Sequence, residues 1–216
     1  LRLPPFAPPP LPSGTPTPLV SASTAPPRPL PWAGTPGPTL GQHRLFPSQL
    51  AAAIWGAALD GGVPVKFQAS FVPLACTAGS AVLGSAGALQ IFANSPGTDL
   101  RDTWYSAALA NRLSGQDLDP NVNEIQARFN SNLGQPGCLG GVFFYLGLDN
   151  NHGTDIDLVT VLLHEFAHGL GFQSFTGVST GNRIAGRGDI YSEFTRDLTT
   201  GKNWNDMTSS EIVASA

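Results

Sequence analysis

Three residues in the run from Asp155 to Phe172 have side chains and a spacing suited to metal-assisted hydrolysis: His164, Glu165 and His168, in the order His-Glu-Phe-Ala-His. On a helix, residues four apart leave one face a single turn from each other, so both imidazoles can reach one cation. Zinc takes neutral imidazole nitrogen at about 2.0–2.1 Å and, in a catalytic site, keeps one position open for water. The carboxylate of Glu165, next to the first histidine, can reach that water. Zinc would bring the water's pKa towards neutrality, and Glu165 would accept its proton as it attacks a carbonyl and pass it to the leaving amine. The implied chemistry is amide hydrolysis. With four His and four Glu in 216 residues, chance produces this five-residue pattern in about one chain in a thousand of the same composition.

The run also reads as a helix. Thr154 or Asp155 can cap its start, Asp157 falls in the first turn where negative charge is favoured, and Ile156, Val159, Leu163, Phe166 and Leu170 form an apolar stripe. Gly169 and Gly171 end it, so a helix over about 155–170 is expected. A sheet must support it. Helical spacing of Phe46, Leu50, Ala53, Ile54 and Ala57, with Ser48 as cap, predicts a helix over 48–60. Alternation from Val63 to Phe71 predicts a half-buried strand. The Gly-rich stretch 78–87 reads as a loop or bulged strand, 89–93 as a short strand, 104–113 as a helix, and 124–129 and 142–148 as strands. Thr208 followed by Glu211 is the spacing of a capping box. A helix opening there would run into the end of the sequence, so the domain is expected to continue beyond Ala216.

His164 to Phe172, reading HEFAHGLGF, resembles the zincin metallopeptidases, and within them the metzincin and leishmanolysin-like form in which Gly171 follows the second histidine by three. The segments FNSNLGQPGCLGG, FFYLGLDNNHGTDIDLVTVLL and Asp189 to Ala216 are similar to large secreted bacterial zinc peptidases of this kind. The resemblance implies an α+β, zincin-like catalytic domain over 41–216, a twisted sheet plus the active-site helix. It also implies zinc held by His164 and His168, Glu165 as general base, a polypeptide substrate and a secreted or cell-surface location. The chain departs from the compact metzincin pattern at Ser174, where a third histidine would stand. Three options remain open for the third ligand: Asp189 or Glu193, 21 and 25 residues past His168; a residue beyond Ala216; or none. Spacing slightly favours the carboxylates, although either equally suits a solvated charge or a cap. His43 and His152 lie N-terminal to the helix, the wrong side for a familiar zincin arrangement. Met207 invites comparison with the methionine turn of metzincins, but Trp204 and Met207 before a capped helix read better as a hydrophobic staple. Tyr191 could donate to an oxyanion, though a packed aromatic is the simpler reading, and His152 reads as a solvated turn residue.

Composition narrows the partners. Of the 20 prolines, 14 lie in the first 40 residues, so 1–40 is expected to be an extended or disordered Pro-rich tail or linker. The net charge of −4 and the isolated Lys66 and Lys202 offer no track for a phosphate backbone. No apolar run reaches the length of a membrane span. After Leu1 no charged region followed by an apolar core is visible, so a signal peptide is either missing from the sequence or was never present. Cys76 and Cys138 could be two buried thiols; the peptidase resemblance favours a bridge, which would close a loop worth about 3 to 4 kcal/mol. Oligomeric state and substrate preference are not legible. Two alternatives stand beside the enzyme reading: a catalytically silent metal-binding or adhesive module, and a structural exoprotein domain whose histidine pair is incidental. Glu165 would be dispensable in both.

Overall fold

The computed structural model describes residues 40–59 and 61–216. The Pro-rich segment falls, up to residue 39, outside the described residues. The described chain is a mixed α+β structure of small sheets and five α-helices.

Helix α1 spans Leu40–Ala58 and starts eight residues before the expected boundary. Ser48 is therefore not its cap but sits inside it, with its hydroxyl donating to the Arg44 carbonyl at 2.9 Å. A serine hydroxyl one turn along can bond back to the helix this way, which the capping rule alone does not anticipate. Pro47 lies inside the same helix.

Three strands form the main sheet: β1 (Phe67–Val72), β2 (Gly84–Ala88) and β5 (Ile125–Asn130). β5 is central, parallel to β1 and antiparallel to β2, which lies at one edge. Alternate residues of β5, Ile125, Ala127 and Phe129, are fully buried, as period-two side-chain placement requires of a strand with a packed face. The Gly-rich stretch thus contributes a true strand. Two short pairs complete the β structure: β3 (Ile91–Phe92) with β4 (Tyr105–Ser106), and β6 (Phe144–Tyr145) parallel to β7 (Ile156–Asp157). Helix α2 runs Ala107–Ser114, so the first residues of the expected 104–113 helix are strand instead.

Helix α3, Leu158–Leu170, packs between the sheet and α1. Its cap is Asp157, not Thr154 or Asp155; the carboxylate accepts from the Thr160 amide at 2.8 Å and its hydroxyl at 2.6 Å. The fully buried apolar residues are Leu158, Leu162 and Phe166. Val159 and Leu163 of the expected stripe are only partly covered, and the Trp55 indole of α1 donates to the Leu163 carbonyl at 3.1 Å. A helix enclosed on two sides needs two apolar faces, and a single-stripe reading finds one of them. Phe166 meets Phe67 of β1 with ring centroids 4.3 Å apart. Gly169 lets the helix approach the sheet closely: a Cβ there would lie 2.3 Å from Ile125 Cγ2.

Beyond α3 come a 3-10 turn at Ile184–Gly186, α4 (Ile190–Phe194), a second 3-10 turn at Trp204–Asp206 and α5 (Ser209–Ser215). The Thr208–Glu211 capping box forms as its spacing implies. Met207 and Ile212, the two positions a staple would pair, are both buried. Cys76 and Cys138 are joined by a disulfide.

Candidate metal and general-base site

The last two turns of α3 carry His164, Glu165 and His168. His164 is exposed, His168 half-buried and Glu165 buried. The Nε2 atoms of the two histidines stand 3.1 Å apart, with the rings edge to face. Two ligands at zinc–nitrogen distance and tetrahedral angle would be about 3.3–3.4 Å apart. The pair therefore fits a shared cation with very little adjustment.

The helix end decides which nitrogen is presented. Gly171 takes a φ of 132°, turning the chain so that the Phe172 carbonyl comes back to His168 Nδ1 at 2.8 Å. A carbonyl has no proton to give, so Nδ1 is the donor, and in the neutral ring Nε2 is left with its lone pair. This is the outer bond that usually orients a metal-binding histidine.

Glu165 points from the same helix towards β2. The backbone bonds flanking that strand, Asn130 N–H to Leu83 O and Leu89 N–H to Glu124 O, both 2.9 Å, come from odd-numbered residues of β2's side of the ladder. Backbone groups alternate in direction along a strand, so Gly84, Ala86 and Ala88 turn theirs outward, to the free edge. Burial pushes the Glu165 carboxyl up from the ordinary range, while His168, His164 and a backbone hydrogen bond from Ala86 pull it down. A raised carboxyl is better matched to taking a proton near neutral pH.

The downstream candidates are held elsewhere. Asp189 is 1% exposed. It caps α4 through the Ser192 amide at 2.8 Å, and accepts from Ser174 Oγ and the Phe175 amide, each at 2.9 Å. Ser174, at the place of a third histidine, is thereby part of a structural knot. Glu193 accepts from the side-chain amide of Asn205 at 2.9 Å. Among the described residues, no group of three or more His, Cys, Asp or Glu could hold a metal. The histidine pair thus suits zinc as two ligands of a set whose third member these residues do not supply. Tyr191 is 41% exposed, not a packed aromatic. His152 is half-buried, its Nδ1 donating to the Asp155 carbonyl at 2.7 Å, so it is a turn-forming residue more than a solvated one.

Sequence reasoning missed three participants: Gly84, the Ala86 amide and the Phe172 carbonyl. Backbone groups leave no residue-type signal, and Gly84 was one glycine among many. No protein-family model, curated protein or solved structure matches the chain.

Proposed function

We propose that this chain is a zinc-dependent endopeptidase with a zincin-like domain, in which His164 and His168 hold the metal and Glu165 is the general base. The observation that carries the reading is the convergence of two imidazole nitrogens to 3.1 Å beside a buried carboxylate on the same helix. Zinc bound there would polarise a scissile carbonyl and acidify water. The Phe172 carbonyl accepts from His168 Nδ1, so the neutral ring offers the lone pair of Nε2 to the metal position. Glu165, raised by burial, takes the proton of the attacking water and delivers it to the leaving amine. The outward backbone groups of β2 other than the Ala86 amide, which Glu165 engages, could align an extended polypeptide by strand addition alongside Glu165, which supports a peptide substrate over a small amide. The disulfide, and the lack among the described residues of a helix long and apolar enough to cross a membrane, agree with a secreted or surface location.

A second reading, a metal-binding or adhesive module without turnover, draws on Ser174 standing where a third histidine would be and on the engagement of Asp189.

One experiment separates them. Zinc per chain and cleavage of a quenched-fluorescent peptide library are measured for the wild type, Glu165→Gln and His168→Ala. The peptidase reading expects about one zinc and cleavage for the wild type. It expects Glu165→Gln to keep the zinc but lose roughly 10²–10⁴ in kcat, and His168→Ala to lose both. Zinc without cleavage would select the module; no zinc at all would remove both readings.

A further inference from the structure

We propose that Gly84 is a positioning residue for Glu165, the bare Cα on β2 being the space in which the carboxylate is held at the strand's free edge. The inference rests on the peptidase reading for its kinetic consequence but on packing alone for its geometry. A Cβ at Gly84 would stand 2.8 Å from Glu165 Cγ and 3.0 Å from both Cδ and Oε1. Real side chains do not tolerate the first of these distances, so something must move. Gly84 has no left-handed backbone angle, so glycine is needed there for room and not for conformation.

Neither neighbour can easily retreat. β2 is tied to β5 along the ladder on the side of its odd-numbered residues, and the residues opposite Gly84 and Ala86, Phe129 and Ala127, are both fully buried. α3 already rests on the sheet through Gly169 and Ile125. The yielding element is the Glu165 side chain. Because the clash involves Cγ and not only the carboxylate tip, relief requires rotation near the root of the side chain, which swings the carboxylate away from the Ala86 amide. A base displaced by about 1 Å can lose on the order of 10²-fold in rate. The two histidines, one residue before and three after, take no part in this contact.

The test uses the full chain and a double-mutant cycle. Gly84→Ala should lower kcat by about ten-fold or more, with KM within about two-fold and zinc per chain unchanged. In a Glu165→Asp background, one methylene shorter, the same alanine should cost less than about three-fold. An unchanged kcat, or an equal loss in both backgrounds, would overturn the proposal. A second cycle needs no catalysis: the drop in melting temperature from Gly84→Ala should be clearly smaller when Glu165 is alanine. Equal drops, or a Gly84→Ala chain that folds in neither background, would mean that the strand itself and not Glu165 demands the glycine. If the zinc-loaded wild type cleaves nothing while the melting cycle shows coupling, the peptidase reading fails and the contact inference stands.

Discussion

The Nδ1 of His168 donates to the carbonyl oxygen of Phe172 across 2.8 Å, four residues further along the chain. The bond exists because Gly171 ends α3 at a φ of 132°, and the Gly171 amide closes the turn on the Ala167 and His168 carbonyls. One ring's orientation is thus set by a backbone turn. An alanine at Gly171 would be strained whatever the space, and its Cβ would approach Ser106 Oγ at 3.3 Å. Gly171→Ala is expected to weaken zinc binding by about 10- to 100-fold, the usual loss when an outer hydrogen bond to a metal ligand is removed. Competition with a chromogenic chelator measures it, and wild-type affinity in the variant would show that the bond does not orient the ring.

Gly169 addresses stability. Its Cα faces the Ile125 side chain, with three side-chain carbons within 2.7 Å of a built Cβ. Ile125 is fully buried on the central strand and has nowhere to go. Gly169→Ala should therefore destabilise by about 1–3 kcal/mol, the range for overpacking a tight core, despite alanine's better helix propensity. A urea titration reads the difference, and a stabilised variant would contradict the close packing of α3 on β5.

The Cys76–Cys138 bridge spans 62 residues and joins the loop before β2 to the segment after β5. Reducing it, or replacing both cysteines by alanine, should cost about 4 kcal/mol by release of loop entropy in the unfolded chain. The same urea titration with and without reductant checks this. A change below about 1 kcal/mol would mean that the unfolded chain is already restricted over that loop.

Acid sensitivity is expected from the capping box of α5. Hydrogen bonds from Lys202 and from Thr208 hold the Glu211 carboxyl down at about 2, from an ordinary value of 4.5. A depressed folded-state pKa means that the charged form is favoured by folding. Its stabilising contribution is therefore complete above 4.5 and decays as pH falls towards 2. The group is partly exposed to solvent, so the effect should also shrink with added salt. Glu211→Gln should flatten the dependence of unfolding on pH across that window; an unaltered slope would show that the cap does not couple to folding.

Much of the site was legible from residue types. The order His164, Glu165, His168 together with helical spacing was enough to aim two imidazoles at one point, because the geometry of four residues on a helix is local and nearly invariant. The Thr208 capping box was readable for a similar reason, since it depends on few residues of distinctive chemistry, whereas Cys76 and Cys138 by themselves suited free thiols as well as the bridge that forms. Boundaries were less accessible. Ser48 reads as a cap wherever it precedes an apolar pattern, yet it lies mid-helix, and Asp157 displaced two other candidates as the cap of α3. Local preference does not reveal which of several competent residues the rest of the fold will select.

What the chain's letters determined by themselves was the presence of two histidines one turn apart and a neighbouring carboxylate on one helix. Only the tertiary structure decided that Glu165 is buried against a strand edge, that Gly84 leaves the room for it, that Phe172 lends His168 a carbonyl, and that Asp189 is spent on Ser174, Phe175 and Ser192. These relations join residues distant in the chain or engage backbone atoms common to every amino acid. Periodicity and residue type carry no record of them; they arise when helix and sheet close to a separation set by the smallest side chains between them.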